Sequence, residues 1–357
     1  MIRLSRLLML SALSLMLSLS APTVSAQQTD DFTVGLDLIA VERFEDAYEI
    51  FQQLMPLGSS DSAYMIGLML IEERGTEYNP VKSLGYLLAA RAWGNEEAED
   101  IIVQIEPHLS AAELAEANQV LLELSRSVQV AFQTRDLQLD AEPPEALDRV
   151  QPVLTADIAR ANNHGWIEVI IAINTEGRVI AMQPLNLANR DFLRAVTRAF
   201  RSWRYAEGDS VSVTSVLLDY SIGNAEVSVD VLNAYNEALP QAKAGVTEQQ
   251  VYLGGLTQAL VRYESEQVRE LPEALYWYER AARNGNLQAQ RFLALRHVHP
   301  EWAEHLIARG DADVMAWHGM RLFTQSEAAE QKQRGRELME RAAESGSSIA
   351  EDLLKNI

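Results

Sequence analysis

Glycine and alanine recur along this chain at fixed spacings, and this recurrence constrains the fold more than any other feature. Gly67 and Gly94 are 27 residues apart, and Gly319 and Gly346 are also 27 residues apart. In both cases an alanine follows four residues after the second glycine. Such a period indicates supersecondary units that bury apolar surface only against their neighbours. The sequence therefore predicts stacked helical hairpins; an ordinary helical bundle is the alternative interpretation.

Each unit has the pattern of two helices joined by a turn. In residues 61–98, Pro80 is placed to open the second helix, and Gly94 suits the left-handed conformation of a helix end. A third copy occupies residues 273–289, and a half copy occupies residues 44–58. The predicted helical hairpins therefore lie on both sides of the middle of the chain.

The third copy has the sequence Glu-Ala-Leu-Tyr-Trp-Tyr-Glu-Arg-Ala-Ala-Arg-Asn-Gly, with a further alanine at position 289. This pattern, which returns in residues 335–350, resembles the Sel-one-like repeat, a relative of the tetratricopeptide (TPR) repeat. The resemblance implies α-helical solenoid segments over residues 27–132 and 223–357.

Between the helical segments the composition changes. Residues 133–151 are polar, contain two adjacent prolines and are predicted to be a linker. Residues 166–185 have the pattern of a β-hairpin with a tight turn. A helix is predicted over 191–203, and an alternating strand from Val211 to Ile222. The predicted order is strand, hairpin, strand, helix, strand.

Residues 152–222 resemble the TonB C-terminal domain, the periplasmic end of an energy transducer that engages outer-membrane receptors. The positions that match in order and spacing are Gly165-Trp166-Ile167-Glu168-Val169, Ile173, Gly177, Val179, Phe192, Ala195, Ala199 and Trp203-Arg204-Tyr205. The chain departs from the family pattern at Pro152-Val153-Leu154, where Tyr-Pro is expected, and at Ala206-Glu207, which replaces a proline. The resemblance implies an α+β fold class: helical repeats flanking a three-stranded antiparallel sheet with one helix.

The same resemblance implies that the last strand binds an extended receptor peptide along its free edge. The candidate residues of this edge strand are Val211, Ser212, Val213, Thr214, Ser215, Val216, Leu217 and Leu218. The alternative is that the neighbouring repeats cover the edge and nothing binds there.

Four arginines lie at helical spacing on one face of the predicted helix: Arg190, Arg194, Arg198 and Arg201. Like charges at this spacing repel one another, so an acidic surface is expected to compensate them. We predict docking of this face on the acidic repeats, and an external acidic partner is the alternative.

Residues 1–26 have the pattern of a cleavable bacterial secretory signal peptide. Two arginines precede an apolar run, residues 7–20, that is too short to cross a bilayer, and residues 24–26 form a small-x-small cleavage site. We expect cleavage after Ala26, a periplasmic mature protein and no membrane insertion. The alternative is an uncleaved membrane anchor.

Cleavage would also limit what the protein can do. The TonB family draws on the proton gradient through a retained anchor whose membrane helix carries a histidine. Residues 7–20 contain no histidine, so the resemblance points to an accessory or a binder rather than to an energy transducer.

The charge and the chemistry of the chain exclude several classes of function. Removing residues 1–26 takes away two arginines and no acids, so 28 basic and 51 acidic residues remain, a net charge of −23. This excess disfavours nucleic acid and anionic lipid as partners. The chain has no cysteine, which excludes disulfides, thiolate catalysis and cysteine-ligated zinc.

No catalytic or metal-binding motif is present in the sequence. His297, His299, His305 and His318 lack the spacing and the carboxylates of a metal site. No phosphate-binding loop or activated nucleophile pattern occurs, which also disfavours a hydrolase of cell-wall peptides. We therefore expect no enzyme activity, no cofactor and no metal.

These observations together predict a periplasmic protein-binding scaffold whose TonB-like module serves transport linked to outer-membrane receptors. The expected partners are proteins or peptides of the cell envelope, with outer-membrane TonB-dependent receptors as the leading candidates. The alternative is an adaptor of envelope assembly in which the TonB-like module is only structural.

Overall fold

The structure, a computed structural model, describes residues 31–131, 144–155, 164–187, 190–221, 227–260, 271–296 and 299–357. The predicted signal peptide, most of the predicted linker, Ile222 and His297 lie outside these residues. Within the part of the chain that is described, no helix is both long and apolar enough to cross a membrane.

The described residues are mostly helical and include a small antiparallel sheet, which confirms the α+β class in its general form. The α-helices are α1 (Phe32–Ala40), α2 (Phe44–Leu54), α3 (Ser60–Glu72), α4 (Pro80–Ala92), α5 (Ala98–Ile105), α6 (Ala111–Ser127), α7 (Arg190–Phe200), α8 (Val227–Lys243), α9 (Thr247–Leu260), α10 (Ala274–Arg283), α11 (Leu287–Arg296), α12 (Pro300–Ala308), α13 (Ala312–Gln325), α14 (Ala329–Glu344) and α15 (Ser348–Leu354). The strands are β1 (Ala146–Asp148), β2 (His164–Ile173), β3 (Val179–Leu187), β4 (Arg204–Tyr205) and β5 (Ser212–Ser221).

The chain forms two compact units. The first contains the described residues up to Ala131 together with Pro240–Gln250 and Arg280–Asn286. The second contains the remaining described residues, which include the sheet and most of the C-terminal helices. The sheet and the last predicted repeats therefore belong to the same unit.

In the first unit, α3 and α4 form the helical hairpin that the glycine spacing predicts. Asn79 caps the start of α4, and Pro80 is its first residue. A Cβ atom on Gly67 would lie 2.7 Å from Cγ of Leu87, so glycine allows the two helices to cross closely. Gly94 follows the hairpin with φ of +101°, as predicted for a left-handed helix end.

The second unit repeats this hairpin in α13 and α14. A Cβ atom on Gly319 would lie 2.6 Å from the carbonyl oxygen of Gly335, so these helices cross at backbone distance. Gly346 ends the hairpin with φ of +88°. The two copies thus use the same small residue at the same two places.

A polar link, which the sequence pattern did not reveal, recurs in both hairpins. Asn95 donates its side-chain N–H to Asp61 Oδ1 at 3.0 Å. Ser347 Oγ lies 3.3 Å from Asp313 Oδ1. In each case an acid in the first turn of one hairpin bonds a residue 34 positions later, near the start of the next helix. This link supports the predicted repeat independently of the glycines.

The main sheet has the strand order β3-β2-β5, and both pairings are antiparallel. The turn between β2 and β3 is closed by Asn174, whose Oδ1 accepts the backbone N–H of Arg178 at 2.8 Å, and by Gly177 at φ of +74°. The predicted order of strand, hairpin, strand, helix and strand is confirmed.

The two faces of the sheet are covered by different helices of the second unit. On one face, the odd-numbered residues of β2 pack with Phe192 and Val196 of α7 in an apolar core. On the other face, β3 packs against α11 and α15, and β5 packs beside α13. Residues 166–173 of β2 are buried without interruption because both of its faces are covered.

The C-terminal part of the predicted linker is structured. Residues 146–148 form β1, which pairs antiparallel with β4. The backbone N–H of Ala206 donates to the carbonyl oxygen of Glu145 at 2.8 Å. Local polarity and two prolines indicated a linker here, whereas backbone pairing with a segment almost 60 residues later fixes its conformation.

Candidate protein-binding site

The predicted edge strand lies at one edge of the sheet. Val211 precedes β5, and the other candidate residues, from Ser212 to Leu218, are inside it. Among the described residues, β5 pairs with β2 alone. Its outer side is therefore without a strand partner in that part of the chain.

The two edges of the sheet differ in how well they would accept another strand. The outer edge of β3 contains Pro184, and its pairing with β2 shifts register twice. Proline and irregular register are common ways of blocking an edge. β5 has no proline, and its ten residues pair with β2 without a register shift. A regular, proline-free edge is the better template for an added strand.

What β5 offers is its backbone, since most of its side chains are at least partly buried. Val213 and Val216 are buried on opposite faces of the sheet, and Tyr220 packs edge-on to the ring of Phe192 at 4.8 Å between centroids. In an antiparallel strand, alternate residues direct both N–H and C=O away from the paired neighbour. The side chains of β5 are therefore packed on both faces of the sheet, while about half of its backbone groups point outward.

The arginine face lies on α7. Arg194, Arg198 and Arg201 are exposed, and Arg194 is paired with Asp191 at 3.1 Å. The side chain of Arg190 is not among those described. Within the second unit, α7 covers the sheet face opposite to the C-terminal helices. Docking of the arginine face on the acidic repeats stays a prediction, with an external acidic partner as the alternative.

A buried polar cluster, called the seam here, lies on the second face of the sheet. It consists of Glu168, Arg296, Gln258, Gln183, Trp317, Asn186 and Tyr278. Glu168 is 1% exposed, pairs with Arg296 and accepts from Gln258 Nε2 at 2.6 Å. Trp317 Nε1 donates to Gln183 Oε1 at 2.6 Å. Asn186 Nδ2 donates to the hydroxyl of Tyr278. Burial and the nearby charge of Glu168 raise the pKa of Tyr278 well above its ordinary value.

Sequence reasoning did not identify this seam. The one available signal was Glu168, a charged residue inside an otherwise apolar strand. Its partners come from helices about 90 and 130 residues later in the chain, so no local pattern could have revealed them.

The histidines do not form a metal centre in the described residues, where no group of three or more ligating side chains is close enough to hold an ion. Burial lowers the pKa of His318 to about 4, so this side chain is neutral at pH 7. A largely buried, neutral histidine between helices is a packing residue.

No protein-family model matches the chain, and no curated protein sequence matches it. Among solved structures, the chain is similar to a protective antigen present in uropathogenic Escherichia coli strains, which displays an SLR fold. The two proteins share 13% sequence identity, with a TM-score of 0.23. The match covers 89% of this chain and 62% of that protein.

Proposed function

We propose that this protein is a non-catalytic, protein-binding scaffold in which β5 accepts an extended peptide as a fourth strand. The observation that carries the proposal is the contrast between the two edges of the sheet. β3 carries Pro184 and two register shifts, whereas β5 is regular over ten residues. Main-chain hydrogen bonds would supply the affinity of such a site, and side-chain contacts beside the edge would supply its specificity.

The setting that we propose for this binding is the bacterial periplasm, after cleavage of residues 1–26. The resemblance of residues 152–222 to the TonB C-terminal domain suggests the periplasmic peptides of outer-membrane receptors as partners. On this proposal, the protein assists receptor-linked transport without transducing energy itself.

The buried seam favours a second candidate function, an envelope assembly adaptor in which the sheet only braces the C-terminal helices. Glu168 and Arg296 form an ion pair whose carboxylate is 1% exposed. Removing either partner would leave the other charge buried and unpaired, at a cost of about 3–5 kcal/mol, so the packing of the sheet on α11 depends on both residues. An ion pair in this place is compatible with a purely structural role of the sheet and with a peptide-binding role.

Two proline substitutions in β5 test the peptide-binding proposal. Neighbouring residues of a strand direct their N–H groups to opposite sides, so one of Thr214→Pro and Ser215→Pro interrupts the β2–β5 ladder and the other removes only an outward N–H. Thermal unfolding identifies the two: the ladder variant melts earlier, and the outward variant melts close to the unmodified protein.

Binding is then measured by titration calorimetry with synthetic periplasmic plug peptides of outer-membrane receptors. We expect the unmodified full-length protein to bind. The outward variant, which lacks one outward N–H, should bind at least about tenfold more weakly, a factor that corresponds to a loss of about 1.4 kcal/mol of binding free energy. Equal binding by the outward variant would refute strand addition at β5. If no peptide binds the unmodified protein at millimolar concentration, the bracing function is favoured instead.

A further inference from the structure

A row of exposed aliphatic side chains lies next to the sheet. Nine large apolar side chains are exposed among the described residues, and four of them fall within eight consecutive positions. These four are Leu147, Val150, Val153 and Leu154, with exposed fractions of 64%, 46%, 75% and 39%. Exposed apolar residues that cluster in this way form a candidate interaction surface, whereas single exposed apolar residues need no explanation.

The segment that carries the row, residues 144–155, is named the strap here, and contacts hold its residues 145–150 in place. Trp203 Nε1 donates to the carbonyl oxygen of Val150 at 2.9 Å. The guanidinium of Arg149 lies over the rings of Trp203 and Tyr205, 5.4 and 5.2 Å from their centroids. These contacts fix the backbone around Leu147 and Val150, which lowers the entropy lost when a partner binds there.

Positive charge borders the strap. Arg204 lies in β4 opposite Asp148, and its Nη1 donates to the carbonyl oxygen of Trp203 at 2.7 Å. Arg201 and Arg198 precede it at the end of α7, and all three arginines are exposed. Acids are interspersed here, so the surface is a mosaic of both signs. A mosaic suits a polypeptide partner better than a uniformly anionic membrane.

The complementary surface is present on this chain itself. No lysine or arginine occurs between positions 92 and 125, whereas eight acids do. In α5, Glu99 and Asp100 are exposed beside Val103, another of the nine exposed apolar side chains, at 53%. Glu96, which precedes the same helix, is also exposed. This surface combines acidic and aliphatic groups, whereas the strap and the arginines that border it combine aliphatic and basic ones.

We propose that the strap and the arginines at the end of α7 bind the α5 surface of a second copy of this protein. The two surfaces are different, so the contact is head-to-tail and leaves one free surface of each kind on the pair. It uses neither β5 nor the seam, and it goes beyond the proposed peptide binding. We expect the contact to be transient and weak, with a dissociation constant of about a micromolar or more.

Sedimentation equilibrium of the full-length protein tests the self-association. The weight-average mass should rise above that of one chain as the protein concentration is raised from about 10 to about 500 μM, because a weak contact forms only at high protein concentration. Added salt should weaken the association, because the charges at the surface are screened. A mass of one chain throughout this range would overturn the proposal and would leave only an external acidic partner for the strap.

Charge reversal on each surface supplies the specific test. Arg198→Glu with Arg201→Glu should weaken self-association at least about tenfold, and Glu96→Lys with Asp100→Lys should do the same. An equimolar mixture of the two variants should associate again, because each offers a surface that the other lacks. The exposed Glu330→Lys on α14 is the matched control and should leave the mass unchanged.

The aliphatic row is tested separately, by Val153→Ser. This side chain is 75% exposed, so its loss should leave the fold intact by circular dichroism and should still lower the association. Two results would refute the head-to-tail contact. One is that the mixture of charge variants associates no more strongly than either variant alone. The other is that the Val153→Ser protein associates normally.

Discussion

Asp61 is the centre of the most extensive buried polar network in the first unit that the described residues show. Its carboxylate accepts from both Nε and Nη2 of Arg280, at 2.9 and 2.6 Å. Asn284, Asn95 and Gln250 donate to it as well, at 2.6, 3.0 and 3.2 Å. Although burial by itself raises its pKa, Arg280 and these amide donors outweigh burial and lower the pKa below the ordinary value.

Replacing Asp61 with alanine should cost the first unit about 3–5 kcal/mol of unfolding free energy, the usual cost of breaking a buried pair by removing one partner. The Arg280 side chain is only 8% exposed, so its charge would remain buried without the carboxylate. Replacing both residues, as Asp61→Leu with Arg280→Met, should cost much less, because no charge is then left buried.

A surface ion pair of the same length provides the control. Arg43 and Asp46 are also 2.6 Å apart, but their side chains are 62% and 48% exposed. Asp46→Ala should therefore cost at most about 1 kcal/mol. Because Arg43 and Asp46 also lie in the first unit, the comparison sets a buried, multiply hydrogen-bonded carboxylate against an exposed one in the same unit.

The measurement is urea unfolding followed by circular dichroism, with hydrogen exchange and mass spectrometry to assign the loss to peptides of the first unit. Exchange should accelerate in α3 and α4 and in residues 280–286. An Asp61→Ala protein that loses no more than Asp46→Ala would show that the buried pair is not a stabilising element. A double variant as unstable as Asp61→Ala would show that lost packing, and not the unpaired charge, sets the cost.

Two further predictions concern single residues. Burial raises the pKa of Asp31, so its contribution to stability is fully present below the ordinary pKa of an aspartate and is lost as the pH rises through the raised pKa. Asp31→Asn should remove this dependence of the urea midpoint on pH, measured from about pH 3 to about pH 8. Gly319→Ala places a methyl group 2.6 Å from the backbone oxygen of Gly335 and should cost about 1–3 kcal/mol in thermal unfolding. No loss on Gly319→Ala would mean that α13 and α14 can separate at little cost.

Local patterns predicted the elements of this fold well. The turn before Pro80 and the glycines at 94 and 346 were identified because each has a conformational reason that acts over a few residues. The strand order was predicted for a similar reason, since alternation and a tight hairpin turn are both short-range signals. The edge position of β5 followed only from the family resemblance, and peptide binding there stays a prediction.

Long-range partners could not be predicted in the same way. Asp61 bonds Arg280 across 219 residues, and no periodicity links the two positions. The sequence indicates a linker over residues 133–151, which include the first part of the strap, because its pairing partner, β4, is only two residues long and carries no strand signal of its own. In each case the residue that makes the stabilising contact is too far away along the sequence for a local pattern to indicate it.

The second face of β2 decides how the binding experiments have to be done. Trp166, Glu168 and Ile170 point to this face, away from α7, and each is at most 1% exposed. In the second unit the helices that follow the sheet in sequence cover them, with Arg296 neutralising Glu168. A fragment ending at residue 222 would expose an apolar face that holds an unpaired carboxylate, and it would offer peptides a false binding surface. Binding at the β5 edge is therefore meaningful only when it is measured on the full chain.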